Sequence, residues 1–89
     1  MTHLSDNPRL LARVRRLRGQ IEAIERALEE GRDCGTILHL VASVRGAVAG
    51  LTGELIEEHL ALHVLEEPDE AARRKGGEDL AAVLRTYLR

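Results

Sequence analysis

A heptad pattern near the N-terminus constrains the fold of this chain more than any other feature. Apolar residues recur at alternating steps of four and three: Leu10, Val14, Leu17, Ile21, Ile24 and Leu28. This spacing predicts a helix that packs lengthwise against other helices. Asn7 is suited to cap the helix, Pro8 to occupy its first position, and Gly31 to end it. We therefore expect a first helix from about residue 8 to 30.

A second, longer helix is predicted from Cys34 to the residues before Pro68, with Asp33 as its N-cap. Three glycines lie among its apolar positions, at 46, 50 and 53. Because a glycine in a helix costs about 1 kcal/mol relative to alanine, the run requires a reason. Close approach of a neighbouring helix is one explanation, and a break near residues 50–53 is the alternative.

The rest of the chain predicts an exposed connection and a short third helix. Residues 66–77, EEPDEAARRKGG, have the composition of a connection. Glu78 and Asp79 then suit the positive end of a helix dipole. The expected apolar stripe of this helix is Leu80, Val83, Leu84, Tyr87 and Leu88. The chain is thus predicted to be all-α, with residues 1–89 forming a single domain.

Composition indicates an oligomer. Phe and Trp are absent and Tyr87 is the only aromatic residue, so the core is built from small aliphatic side chains. A chain of 89 residues with so little bulk commonly gains its missing burial through association.

The sequence also predicts a cytoplasmic protein without a membrane segment. No consecutive apolar run approaches the roughly 20 residues that cross a bilayer, and the opening MTHLSDNP is polar. A lone cysteine, Cys34, fits a reducing compartment. Because no glycine-rich phosphate loop, nucleophile elbow or H-E-x-x-H motif is present, we do not expect an enzyme.

A basic strip follows the start of the first helix. Arg9, Arg13 and Arg16 fall on one face at steps of four and three, and Arg15 and Arg18 widen the strip. Except near its ends, no acid lies within four residues along the helix, so we expect the positive field to be uncancelled locally. The strip predicts polyanion binding, and a solvated face of an interaction helix is the plainer alternative.

Candidate metal ligands lie at opposite ends of the second helix. His59 and His63 are four residues apart and face the same way on a helix. Cys34 begins the helix, where the dipole favours the thiolate form, but it lies 25 residues from His59, about 37 Å at 1.5 Å per residue. The thiol can meet the imidazoles only if two copies of the helix pack antiparallel, which places the site between subunits.

His3 completes the predicted ligand set, and the N-terminal amine would lie beside it if Met1 is removed. Nitrogen and sulfur donors suit Ni(II), Co(II), Cu or Zn(II) rather than Mg or Ca. Each candidate also has a plainer interpretation: a surface His pair, a small buried Cys and a polar tail. His39 is interpreted as a polar residue at a helix interface.

Three segments resemble a known family. They are RVRRLRGQIEAIERALEEGRDC at 13–34, VASVRGAVAGL at 41–51 and EEHLALHV at 57–64. In order and spacing they are similar to the CsoR/RcnR/FrmR family of bacterial repressors. The resemblance implies a three-helix protomer, an antiparallel four-helix-bundle dimer and a disc-shaped homotetramer made of two dimers. It further implies a ligand site between subunits and binding of double-stranded operator DNA that is released when an effector is sensed. Positions associated with DNA contact match Arg13, Arg16 and Arg45, with Arg18 beside them.

The same resemblance implies the type of effector from His3, Cys34, His59 and His63. Copper-sensing members carry a second Cys at the position of His63, and formaldehyde-sensing members have a Pro where this chain has Thr2. Sulfur-sensing members use two cysteines and lack the middle histidine. The His-Cys-His-His set resembles the nickel- and cobalt-responsive branch, whereas the body of the first helix resembles the formaldehyde-responsive branch.

Our hypothesis from sequence is a repressor that Ni(II) or Co(II) releases from DNA, so that metal efflux is derepressed. Zn(II) and Cu suit the same donors. The alternatives are a formaldehyde-responsive repressor in which Cys34 is the reactive thiol, and a metal storage or delivery protein that does not bind DNA.

Overall fold

The described part of the chain is entirely helical in its regular structure. The computed structural model describes residues 4–88, apart from the side chain of Ser5. A single 3₁₀ turn, Leu4–Asp6, leads into α1 (Pro8–Glu29), α2 (Cys34–Leu60) and α3 (Glu70–Tyr87). A π-helical turn, Ala61–Leu65, continues α2. Within residues 4–88 there is no strand, and the all-α prediction is confirmed.

Both ends of α1 follow from the residues that the sequence places there. The Asn7 side chain accepts a hydrogen bond from the Arg9 backbone N–H at 2.9 Å, and Pro8 occupies the first turn. At the other end Gly31 has a φ of 70°, in the left-handed region that favours glycine. The Arg32 N–H then donates to the Ala27 carbonyl at 2.9 Å, which closes a Schellman motif.

The second helix runs without a break from Cys34 to the π-helical turn, so the alternative of a break at residues 50–53 is wrong. Asp33 caps it, because its carboxylate accepts hydrogen bonds from the Thr36 hydroxyl at 2.6 Å and the Thr36 N–H at 3.1 Å. These two hydrogen bonds lower the pKa of Asp33, since they stabilise its ionised form.

The close approach expected at the α2 glycines occurs within the protomer at Gly50 only. A Cβ there would lie 2.8 Å from Nη1 of Arg13, whereas nothing lies within 4 Å of the corresponding point at Gly46 or Gly53. The neighbour at Gly50 is therefore a flexible side chain of α1 rather than a helix backbone.

The predicted boundaries of α3 are wrong. The exposed connection extends only over residues 66–69, and α3 begins at Glu70. Asp69 caps it by accepting a hydrogen bond from the Ala72 N–H at 2.8 Å. The glycines at 76 and 77, which were assigned to the connection, lie inside the helix, and Gly76 lies where α3 crosses the π-helical turn that follows α2. Glu78 and Asp79 are consequently in mid-helix, where Asp79 pairs with Lys75 at 3.1 Å.

The heptad pattern of α1 divides into two stripes with different environments. Leu10, Leu17 and Ile24 follow one another at steps of seven residues. Leu10 is buried, and Leu17 and Ile24 are half-buried against α2. The intervening stripe, Val14, Ile21 and Leu28, is exposed, and α2 has a matching exposed stripe at Val41, Val48 and Leu55. One half of the pattern therefore packs within the protomer, and the other half has no partner there.

The exposed area of the protomer is larger than that of a typical monomer. Its accessible surface is 6911 Å², against about 5,200 Å² for a compact monomer of this mass. Its radius of gyration is 17.1 Å, where about 12 Å is typical for this length. Large exposed apolar surfaces mark protein interfaces, so both values favour association of protomers.

The segment Cys34–Leu65 is also long and apolar enough to cross a membrane, with a mean hydropathy of 1.4 over its most apolar 18-residue window. The count of consecutive apolar residues did not anticipate this result. It carries little weight, because a helix covered by other helices has the same composition. Arg45 also lies in the middle of the segment.

Candidate metal centre and nucleic-acid interface

His59, at the C-terminal end of α2, and His63, in the π-helical turn that continues it, lie together. Their ring centroids are 4.9 Å apart, with the planes inclined by 49°. The π-helical turn that carries His63 is closed by the Glu66 N–H, which donates to the Ala61 carbonyl at 2.9 Å. Such turns widen a helix locally and are frequent at functional sites.

A hydrogen bond to α3 fixes the tautomer of His59. Its Nε2 lies 2.8 Å from the carbonyl oxygen of Gly76. A carbonyl oxygen can only accept, so Nε2 carries the hydrogen and donates it. In the neutral ring, Nδ1 then holds the lone pair. The nitrogen of His59 that is free to bind a ligand is therefore Nδ1.

Gly76 permits this contact because it has no side chain. It is one of the few buried residues of the protomer, and a Cβ at this position would collide with the carbonyl oxygen of His63. The same added atom would lie 2.9 Å from the His63 carbonyl carbon. The crossing of α3 over the end of α2 thus depends on a glycine at position 76.

The histidine pair opens onto a shallow cavity of about 300 Å³ between α2 and α3. Its other polar lining residues are Glu67, Lys75 and Asp79, and Lys75 is paired with Asp79. Within the part of the chain that the structure describes, no three His, Cys, Asp or Glu side chains are grouped closely enough to hold a metal ion. One protomer therefore brings together two of the predicted ligands.

The other two predicted ligands are not near this pair. Cys34 is a free, exposed thiol at the start of α2. Because α2 is continuous, the separation of about 37 Å along the helix from His59 holds. His3 lies outside the described residues. His39 is exposed on α2 and lies about 140° around the helix from Cys34, so it does not share the face of the thiol.

The basic strip of α1 borders a groove of about 620 Å³ between α1 and α2. Arg9, Arg13 and Arg16 line it on one side, and Ser43 and Ala47 line it on the other. Gln20 continues the strip, and its Oε1 is buried without a hydrogen-bond donor among the described residues. The groove is therefore lined by three cations and one unused acceptor.

An acid from the second helix enters the strip. Oε2 of Glu54 lies 2.5 Å from Nε of Arg13, and Oε1 lies 3.6 Å from Nε of Arg9. The expectation that no acid of α1 cancels the middle of the strip holds, but Glu54 of α2 neutralises part of the field across the helix pair.

The structure does not bring all four predicted DNA-binding residues together. Arg13 and Arg16 share the groove, but Arg18 lies two positions from Arg16, about 200° around the helix, and pairs with Glu22 at 3.9 Å. Arg45 is exposed on α2, two positions from both Ser43 and Ala47, and therefore faces away from the groove. A surface that contains all four requires more than one protomer.

Sequence reasoning missed two residues that shape these sites. Glu54 had no distinguishing signal, since its importance depends on the register of α2 against α1. Gly76 did have one, because it follows six residues with helix-forming character, 70–75, and lies seventeen residues from His59 in a chain that must fold back. This glycine was instead assigned to the exposed connection.

Comparison with known proteins identifies what the chain is similar to. A family model described as a metal-sensitive transcriptional repressor matches residues 6–87. The transcriptional repressor RcnR of Salmonella paratyphi B is 36% identical over 90 residues, which covers 100% of both chains. An uncharacterized protein encoded in the bioA 5′ region of Serratia marcescens is 45% identical over 94% of this chain and 93% of its own length.

Two solved structures share the fold. A glutamate-to-histidine variant of the formaldehyde-responsive regulator FrmR from Salmonella enterica serovar Typhimurium superposes with a TM-score of 0.87 at 42% identity, over 98% of this chain and 99% of that one. The copper-sensing repressor CsoR with Cu(I) from Geobacillus thermodenitrificans superposes with a TM-score of 0.85 over 100% and 93% of the two chains. At 19% identity, the second likeness concerns the fold alone.

Proposed function

Because the chain belongs to the family of metal-sensitive transcriptional repressors, we propose that Ni(II) or Co(II) releases it from operator DNA and derepresses metal efflux. The ligands would be Cys34 of one protomer and the His59–His63 pair of another, with His3 and the N-terminal amine completing the set. The observation that supports this arrangement is the unbroken α2, which carries the thiol at one end and the imidazoles at the other.

The donor set fits such a metal ion. His59 presents Nδ1 because its Nε2–H is held by the Gly76 carbonyl, and a second partner of this kind commonly orients a metal-binding histidine. The two rings are close enough to share an ion, and the exposed thiol of Cys34 is accessible to a neighbouring protomer. Thiolate and imidazole donors suit Ni(II) and Co(II), and they also suit Zn(II) and Cu.

Association of protomers supplies what one protomer lacks. The two exposed stripes, Val14–Ile21–Leu28 on α1 and Val41–Val48–Leu55 on α2, repeat every seven residues, as in helices that pack lengthwise. A second antiparallel copy would cover them and place Cys34 opposite the histidines. Two such dimers would form the homotetramer. This assembly repeats the basic grooves by symmetry.

The DNA contacts would come from Arg13, Arg16, Arg18 and Arg45. Arg13 and Arg16 line the groove within a protomer. Arg18 and Arg45 face outward from other sides, so an assembled surface would combine them from different protomers. A repressor of bacterial genes acts in the cytoplasm, where the DNA is. Because its family consists of transcriptional regulators, the protein is not expected to be an enzyme. Metal binding and DNA binding would be coupled by about 1–3 kcal/mol, a 5- to 150-fold change in DNA affinity.

Titration with metal tests the proposal directly. Fluorescence anisotropy of a labelled duplex, enriched by the protein from a random-sequence pool, should fall as Ni(II) or Co(II) is added. Zn(II) and Cu(I) are the comparison ions. The absorption spectrum of the Co(II) form should show a thiolate charge-transfer band that Cys34→Ser removes. DNA affinity that stays constant with every metal would refute the metal-sensing proposal.

Mixing variants tests whether the site lies between subunits. Cys34→Ala and His63→Ala proteins should each lose the Co(II) spectrum. Refolded together, they should regain part of it, because a mixed dimer contains one intact site. The control is co-refolding of Cys34→Ala with Cys34→Ser, which leaves no intact site. Absence of recovery in the first mixture would place the thiol and imidazoles in separate sites.

A second candidate is a formaldehyde-responsive repressor, favoured by 42% identity to the FrmR variant and by the exposed thiol of Cys34. Cys34 would then be the reactive nucleophile. It predicts a mass increase consistent with a methylene bridge after exposure to formaldehyde, together with loss of DNA binding. If formaldehyde leaves DNA binding intact at concentrations that do not modify other residues, this candidate is refuted.

The third candidate is a metal storage or delivery protein without DNA binding. In that case Arg13→Ala with Arg16→Ala should change nothing beyond stability. For a repressor, the same variant should weaken DNA binding and flatten its salt dependence.

A further inference from the structure

Glu54 is a carboxylate placed between two arginines of the basic strip. Its side chain is 11% exposed, whereas the side chains of Arg13 and Arg9 are 43% and 76% exposed. Each carboxylate oxygen faces one arginine Nε. A charge that is largely withdrawn from water depends on its partners, so loss of a partner is unfavourable.

The guanidinium of Arg13 is therefore already engaged in the protein without DNA. A phosphate that binds Arg13 must share or replace the carboxylate, and it must also approach a negative charge. We propose that Glu54 competes with DNA phosphate for Arg13 and so limits the DNA affinity of the repressor. This inference rests on the proposed function, in which Arg13 contacts DNA.

The competition involves one acid and falls mainly on Arg13, whose Nε lies 2.5 Å from Glu54, whereas the Nε of Arg9 lies 3.6 Å away. Glu57 is exposed and pairs with no arginine among the described residues, and Glu58 accepts a hydrogen bond from the Asn7 side chain at 3.3 Å. Arg16 forms no ion pair with the described residues. Phosphate can thus reach Arg16 without displacing an acid, while Arg13 must first leave Glu54.

Gly50 maintains the engaged position of Arg13. The guanidinium lies over α2 at this glycine, and an alanine Cβ would be 2.8 Å from its Nη1. Because Nη1 is the far end of a flexible side chain, the arginine rather than the helix would move. Gly50→Ala should therefore displace the Arg13 guanidinium and weaken its pairing with Glu54 without altering any charge.

Glu54→Gln is the central variant, since it removes the charge and retains a similar shape. We expect DNA affinity to rise about 2- to 5-fold per groove, because loss of a partly exposed ion pair changes a binding constant by about this factor. If one more phosphate is bound, the slope of log K against log salt should steepen by about 0.9. Glu57→Gln, one turn further along α2, is the matched control for a general gain in positive charge and should give a smaller effect.

A double-mutant cycle with Arg13→Ala isolates the pairwise effect. If Glu54 acts through Arg13, most of the gain from Glu54→Gln should disappear in the Arg13→Ala background. A merely structural Glu54 would instead weaken DNA binding when replaced. Gly50→Ala should raise affinity in the same direction as Glu54→Gln, and it tests the proposal even if Glu54→Gln does not fold.

The outcomes separate this proposal from the function on which it rests. The probe is the labelled duplex enriched by the wild-type protein, at several salt concentrations without metal. If the wild-type protein binds no duplex, the repressor function fails. If it does bind, but Glu54→Gln gives equal gains with and without Arg13, or Gly50→Ala lowers affinity, the competition between Glu54 and phosphate is refuted.

Discussion

The carbonyl oxygen of His63 occupies the space that a side chain at position 76 would need, so Gly76→Ala is the sharpest test of how α3 is held. The added Cβ would lie 2.9 Å from the His63 carbonyl carbon and 3.0 Å from its Cβ, and would overlap the carbonyl oxygen. These are mainly backbone atoms, which cannot rotate away. The last part of α2 and the middle of α3 must therefore separate.

The magnitude follows from three contributions. Overpacking of this kind destabilises by about 1–3 kcal/mol. Loss of the hydrogen bond from His59 to the residue 76 carbonyl adds about 0.5–1.5 kcal/mol, whereas the better helix propensity of alanine offsets about 1 kcal/mol. We expect a net loss of about 0.5–3.5 kcal/mol in the free energy of unfolding.

Gly77 provides a matched control in the same helix. Nothing lies within 4 Å of a Cβ at that position, so Gly77→Ala should stabilise the protein by about 0.5–1 kcal/mol. Urea unfolding of both variants, at one protomer concentration because the protein is expected to self-associate, measures the difference. If both substitutions shift the unfolding free energy in the same direction by a similar amount, the close contact between Gly76 and His63 does not hold α3 in place.

Three further outcomes can be checked on the same material. Asn7→Ala should lower the unfolding free energy by about 0.5–2 kcal/mol, because α1 loses its cap; urea unfolding that matches the wild type would contradict this. The lowered pKa of Asp33 means that its cap stabilises above the unfolded value of 3.8 and that this contribution is lost as pH falls through the folded value. Acid titrations of stability should therefore be flatter for Asp33→Asn in that window, and identical curves would rule out the cap as a source of acid sensitivity. Ile21→Glu places a charge on the exposed stripe of α1 and should leave helical circular dichroism intact while sedimentation shows smaller species, since burial of an Ile side chain contributes about 1.5–3 kcal/mol per interface; an unchanged sedimentation coefficient would show that this stripe is not an interface.

Predictions from sequence were correct where a structural feature depends only on residues that are close together in the chain. The cap at Asn7, the left-handed turn at Gly31 and the cap at Asp33 all depend on residues within a few positions of one another, and all three predictions are confirmed. The continuity of α2 also followed, because its glycines weaken a helix only modestly. The heptad spacing of α1 correctly predicted lengthwise packing.

Contacts between distant segments could not be predicted in this way. The start of α3 was misplaced because the Gly76–Gly77 pair has the same local signature as a turn, and only the crossing over His63 explains a helix there. The acid at position 54 entered the basic strip because the register of α1 against α2 places it between Arg9 and Arg13. No periodicity within either helix encodes that register.

The sequence by itself determined that the chain is helical, where α1 and α2 begin, and that the thiol and the imidazoles lie too far apart on one helix to meet. Those conclusions need only the rise per residue and the hydrogen-bonding needs of helix ends. The tertiary structure decided which half of the heptad pattern is covered within the protomer, which nitrogen of His59 is free, and which arginine is already paired. These depend on how side chains from different helices fill the same space, and packing of that kind is set only once the helices are in contact.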